Sequence, residues 1–84
     1  MFQTGPYTSF DNFWSLRRVE YGLRLQDIAE LLQLDMKQVG GYFSGWQIPH
    51  PLVILRLCIL FDVPYSVGEA EFRNAFEEYH KNWL

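Results

Sequence analysis

Residues 24–45, RLQDIAELLQLDMKQVGGYFSG, read as two short amphipathic helices with an abrupt stop between them. Leu25, Ile28, Ala29 and Leu32 fall at i, i+3, i+4 and i+7, one apolar stripe of a helix. Val39, Tyr42, Phe43 and Trp46 repeat that spacing in the second helix. Asp35 stands at the N-cap position, where its carboxylate can accept from the free backbone N–H groups of the next turn. Two such stripes joined by a short turn bury each other only if the helices cross steeply. That is the helix-turn-helix arrangement, in which the second helix keeps one face free. The free face here carries Met36, Lys37, Gln38, Gly41 and Ser44. A protruding helix with small and hydrogen-bonding side chains suits the major groove of double-stranded DNA.

Upstream, Phe10 to Tyr21 reads as a helix with Phe10, Phe13, Trp14 and either Leu16 or Val19 facing in. Gly22 is its expected stop, because glycine accepts the left-handed conformation that ends helices, and Gly45 does the same after residue 44. The loop WQIPHP, with prolines at 49 and 51, keeps the chain from continuing as one helix. Residues 52–61, LVILRLCILF, are apolar on nearly every side, which predicts a helix buried from several directions. Asp62 to Ser66 is a break containing Pro64, with Ser66 as the cap of a final helix reaching at least Tyr79. Phe72, Phe76, Tyr79 and Trp83 form an aromatic stripe on that helix. No internal repeat or low-complexity segment interrupts the chain. The expectation is an all-α single domain over residues 1–84 with five helices.

A domain of 84 residues buries about 60% of the surface its unfolded chain exposes. Aromatic residues make up 18% of the chain, so its modest core is expected to be built on rings. The single cysteine, Cys58, excludes an internal disulfide and reads as a small core residue. His50 and His80 are far apart with no ligand-spaced companion, so no metal is implied. No cofactor is implied either. No nucleophile–base pair, glycine-rich phosphate loop or paired catalytic carboxylates stand in a site-like setting, so an enzyme is not expected. The opening MFQTGPYTSF lacks a basic region followed by an apolar run, so no signal peptide is expected. The apolar run at 51–61 is far short of the roughly 20 residues that span a bilayer. A cytoplasmic location and no membrane partner follow as expectations.

Charge opposes the DNA reading. The net charge is −3 and the pI about 5.2, the wrong sign for a protein held on phosphate. Its distribution softens the conflict. Residues 1–61 hold five basic side chains (Arg17, Arg18, Arg24, Lys37, Arg56) against five acids, a balance of zero. Residues 62–84 hold five acids against Arg73 and Lys81, so the whole −3 lies there, away from residues 36–44.

The segment from about Leu16 to Glu69 resembles the Cro/repressor-type, lambda repressor-like helix-turn-helix domains of phage and bacterial regulators. The features that carry the resemblance are Leu16 and Arg17, Ile28-Ala29, Leu34 at the turn, and Val39-Gly40-Gly41-Tyr42-Phe43-Ser44-Gly45. Pro49, Ile54-Leu55, Leu57, Val63 and Ser66 continue it, over about two-thirds of the chain. The resemblance implies a five-helix lambda repressor-like domain that reads base edges from Met36, Lys37 and Gly41. Lys37 can donate to guanine O6 or N7, and Gln38 has the amide chemistry for adenine. Ser44, Arg17, Arg18 and Arg24 are candidates for phosphate, although arginines on exposed helix faces are commonly just solvated. Relatives usually place a phosphate-binding glutamine where this chain has Leu25, which cannot donate. The usual turn glycine is Gln33 here.

Each glycine inside a helix costs roughly 1 kcal/mol relative to alanine, so Gly40-Gly41 needs a reason. Either the helix backbone comes close to DNA or a partner there, or the helix end frays, or one glycine packs tightly on the preceding helix. The aromatic stripe also has two readings. It packs within the chain against Phe2, Tyr7 and Phe10, or it forms a partner surface. The resemblance favours self-association through the final helix, with Ile59 adding apolar surface where relatives often carry a polar residue. Ile59, Phe72, Phe76, Tyr79 and Trp83 are therefore the expected dimer residues. The leading expectation is a sequence-specific DNA-binding transcriptional regulator, acting as a homodimer on a two-fold operator. The alternative is a helix-turn-helix protein that binds another regulator protein, as an antirepressor or inhibitor, instead of DNA.

Overall fold

The structure, a computed structural model, describes residues 12–83, with side chains through Lys81. The described residues form five helices and no strand: α1 Phe13–Glu20, α2 Leu25–Leu32, α3 Met36–Ser44, α4 Pro51–Phe61 and α5 Tyr65–Trp83. The all-α expectation and the helix count hold. Phe10, the expected start of the first helix, lies outside the described residues.

Asn12 caps α1, its side-chain oxygen accepting from the Ser15 N–H at 2.9 Å. The Asn12 amide also donates to the Phe43 carbonyl at 2.7 Å, which ties the start of α1 to the end of α3. Trp14 faces the core as expected, with Phe13 partly buried against it, but the rest of the inward face of α1 differs. Trp14 and Ser15 are buried, while both Leu16 and Val19 are exposed. The Ser15 hydroxyl donates to the same Phe43 carbonyl at 3.1 Å, so a buried polar residue takes a place that apolar spacing assigned elsewhere.

At the start of α2 the Asp27 carboxylate accepts from the Arg24 N–H at 2.8 Å. Ile28 and Ala29 are buried as the stripe predicts. Gln33, Leu34 and Asp35 separate α2 from α3. Gln33 adopts φ +57, the left-handed region that most side chains avoid, and the Leu34 N–H returns to the Ala29 carbonyl at 2.9 Å. The turn therefore forms without its usual glycine. Asp35 is the N-cap of α3, as expected, and Gln38 Oε1 accepts from the Asp35 N–H at 3.3 Å. Gly45 ends α3 at φ +97, and a Cβ there would strike the Ala75 carbonyl of α5. That stop also displaces Trp46, which lies outside the helix, exposed, rather than on the inward stripe with Val39, Tyr42 and Phe43.

Pro51 opens α4, where a missing N–H costs nothing, and His50 Nδ1 accepts from the Leu52 N–H at 3.0 Å. The axis turns by 113° between α4 and α5. Ser66 is not the cap of α5. The Gly68 N–H bonds the Pro64 carbonyl at 2.9 Å, so the first turn closes from Pro64 and Ser66 sits inside it. Gly68 brings α5 close to its neighbours, since a Cβ there would collide with Cys58 Sγ and press on the Trp14 ring.

Trp14 is the centre of the core. It stacks on Phe72 at 4.5 Å between centroids and meets Phe61 and Phe43 edge-on at 5.9 and 6.2 Å. Its indole N–H donates to the Gly68 carbonyl at 3.3 Å, satisfying the one polar atom buried with it. Ile28, Val39, Ile54 and Leu57 fill the remaining space. α4 departs from expectation. Ile54, Leu57, Cys58 and Phe61 face the core, but Leu52, Leu55 and Ile59 are 63%, 43% and 72% exposed. One face of α4 is buried rather than several. Among the described residues no single helix is long and apolar enough to cross a membrane.

Candidate nucleic-acid interface

With Val39, Tyr42 and Phe43 turned to the core, the 3.6-residue period puts Lys37, Gly41 and Ser44 on the opposite side of α3, flanked by Gln38 and Gly40. Met36, Lys37 and Gln38 are exposed together in the first turn. Lys37 has no ion-pair or hydrogen-bond partner among the described residues. Gln38 spends its side-chain oxygen on the Asp35 N–H, which leaves its NH2 group for a ligand.

The two glycines differ. A Cβ at Gly40 would meet nothing within 4 Å, so the helix backbone is bare there. Both glycines are half-buried, but a Cβ on Gly41 would touch the Gln47 and Trp46 side chains at 3.5 Å. Its carbonyl accepts from the Gly45 N–H, the Gln47 N–H and the Ser44 hydroxyl, each at 3.2 Å. Gly41 therefore holds the loop that follows α3, and Gly40 is the position of open approach. Neither glycine packs on α2. Ser44 is also engaged locally, its oxygen accepting from the Trp46 N–H at 3.4 Å.

The arginines are less available than the lysine. Arg24 meets Asp27 at 3.1 Å, and the hydrogen bond from its guanidinium, with a second from its backbone, holds the Asp27 carboxyl below the usual range. Arg17 reaches Glu20 at 3.4 Å and lies 5.5 Å over the Phe13 ring. Arg18 donates to the Leu23 carbonyl at 2.8 Å. None of the three is joined to Lys37 by a hydrogen bond or ion pair.

The expected dimer residues divide. Phe72 is 1% exposed and stacked on Trp14, so it belongs to the core and is not a surface residue. Phe76 and Tyr79 are half-buried in a ring cluster with Trp46 and His80. His80 was not expected there. It stacks on Trp46 at 5.4 Å, and its Nε2 lies 3.1 Å from the Trp46 carbonyl. The i+4 spacing from Phe76 was the available signal. The Trp83 side chain lies outside the described residues. Ile59 stands open, together with Leu52 and Leu55.

Comparison with known protein families, with curated proteins and with solved structures finds no match for this chain.

Proposed function

We propose that this protein is a sequence-specific DNA-binding regulator of the Cro/repressor type, with α2, the Gln33–Asp35 turn and α3 as its helix-turn-helix. The observation that carries the reading is the first half of α3. Exposed Met36, unpaired Lys37 and Gln38 stand beside a bare backbone at Gly40. Such a surface offers donors for guanine and adenine edges and lets the helix sit deep in the major groove. Two copies on a two-fold operator would place two such helices about 34 Å apart, one turn of the duplex. The test is retention of fragmented genomic DNA at low salt by the purified protein. The reading expects a subset of fragments that share a two-fold-related sequence.

A second reading is supported by the ion pairing. Arg17 and Arg24 are tied to Glu20 and Asp27, and the net charge is −3. In this reading the same face of α3 docks on another regulator protein and blocks it. If no DNA fragment is retained even at low salt while a regulator co-purifies stoichiometrically, the second reading replaces the first.

A further inference from the structure

The second half of α3 brings little side-chain chemistry of its own to its outward face. Gly41 has no side chain, and the Ser44 hydroxyl spends its proton on the Gly41 carbonyl at 3.2 Å. The loop after the helix fills that gap. A Cβ on Gly41 would lie 3.5 Å from Gln47 Cδ and 3.6 Å from its Cγ, so the Gln47 amide rests where a side chain at position 41 would begin. Gly41 itself stands four residues after Lys37, one helical turn further along the same outward face.

Two helices hold this loop. The Gln47 N–H donates to the Gly41 carbonyl at 3.2 Å. Trp46 meets Tyr79 edge-on at 5.7 Å and stacks on His80, whose Nε2 lies 3.1 Å from the Trp46 carbonyl. Thus α5 anchors Trp46 and α3 anchors Gln47. Gln47 is exposed, and its side-chain oxygen and NH2 group have no hydrogen-bond partner among the described residues.

We propose that Gln47 is a base-reading residue, taking an adenine at a base pair separate from the one that Lys37 meets. The inference rests on the DNA reading above and adds to it a residue from outside the helix. A side-chain amide holds a donor and an acceptor side by side, which matches adenine N7 and N6 at once. A phosphate offers acceptors alone and would leave the amide oxygen facing charge of its own sign. With the loop fixed in advance, little ordering is lost on contact.

The experiment uses the full chain, a duplex selected from retained genomic fragments, and a panel that changes each base pair of that duplex in turn. Gln47→Ala should weaken binding to the selected duplex about tenfold and abolish discrimination at one A·T pair, leaving the other pairs as they were. Gln47→Glu exchanges the donor for an acceptor, so preference at that same pair should move from A toward C. Lys37→Ala should relax a different pair. Circular dichroism should show each variant folded, since the backbone bond from residue 47 is kept. An unchanged profile in Gln47→Ala would overturn the proposal and leave Lys37 as a reader of DNA. A loss of equal size on every duplex of the panel would overturn it too, making Gln47 a phosphate contact or a support of the loop. If wild type prefers no duplex, the DNA reading falls and the role of Gln47 falls with it.

Discussion

The first turn of α3 and the outer row of α4 are both exposed, and they are built from opposite chemistry. On α3 the side chains are cut down to glycine at Gly40 and Gly41, with Lys37 and Gln38 ahead of them. On α4 they are bulky and aliphatic, with Arg56 and Asp62 at the margins. The cost differs as well. Two glycines lower the helix preference of α3 by roughly 2 kcal/mol in sum, which packing of Val39, Tyr42 and Phe43 must offset. α4 bears no such penalty but exposes apolar surface that water disfavours. A bare backbone with hydrogen-bond donors has the chemistry for a polar, grooved target, and an aliphatic row does not. Exposure alone would not have separated the two.

The largest effect expected is on what the two faces share. Trp14→Ala should destabilise the fold by about 3–5 kcal/mol in urea or thermal unfolding, since α3, α4 and α5 all rest on that ring. A cost below about 1 kcal/mol would mean that the two faces are not held by a common core. Lys37→Ala separates the faces. It should lose about 1–3 kcal/mol at the cognate DNA site and leave self-association unchanged. Unchanged binding by this variant would remove Lys37 from the contact.

Gly40→Ala sharpens the contrast further. With open space around the position, the substitution should raise stability by about 0.5–1 kcal/mol. Target binding should weaken at the same time, because the added methyl stands where the backbone approaches the groove. Higher stability with undiminished binding would remove Gly40 from the contact. The smallest effect concerns the edge of α2. Asp27 has a folded pKa below its unfolded value near 3.9, so its contribution is present above that value and fades as pH falls through the folded one. The stability difference between wild type and Asp27→Asn should therefore shrink steadily below about pH 4. A difference that widens in acid would show that Arg24 is not its partner.

Much of the fold was legible in the sequence because its punctuation is local. Asp35, Gly45 and the prolines at 49, 51 and 64 act within a turn of where they stand, and the helix boundaries follow them closely. What was not legible depends on contacts distant in sequence. Ser15 is buried with its hydroxyl on the Phe43 carbonyl, a contact that no periodicity of α1 records. Ser66 lost the capping role to the Pro64 carbonyl one turn back from Gly68. The run at 52–61 is apolar all round, so its pattern could not say which side stays open. On the candidate site, spacing found Met36, Lys37 and Gln38 on the exposed turn. It could not tell Gly40 from Gly41, because the difference lies in the Trp46–Gln47 loop folding back over Gly41. Phe72 and Phe76 look alike in sequence, and only the position of Trp14 sends one into the core.

Whether α3 reads DNA is tested most directly by a salt titration of binding. Fluorescence anisotropy would follow wild-type protein on a duplex selected from retained fragments and on a scrambled duplex of the same composition. Binding to the selected duplex is expected to be tighter at every salt concentration. Log affinity should fall only shallowly with log salt, because Lys37 is the cation that α3 carries and few phosphates are neutralised. Equal affinity for the two duplexes, or no saturable binding to either at the lowest salt, would contradict the reading of DNA by α3.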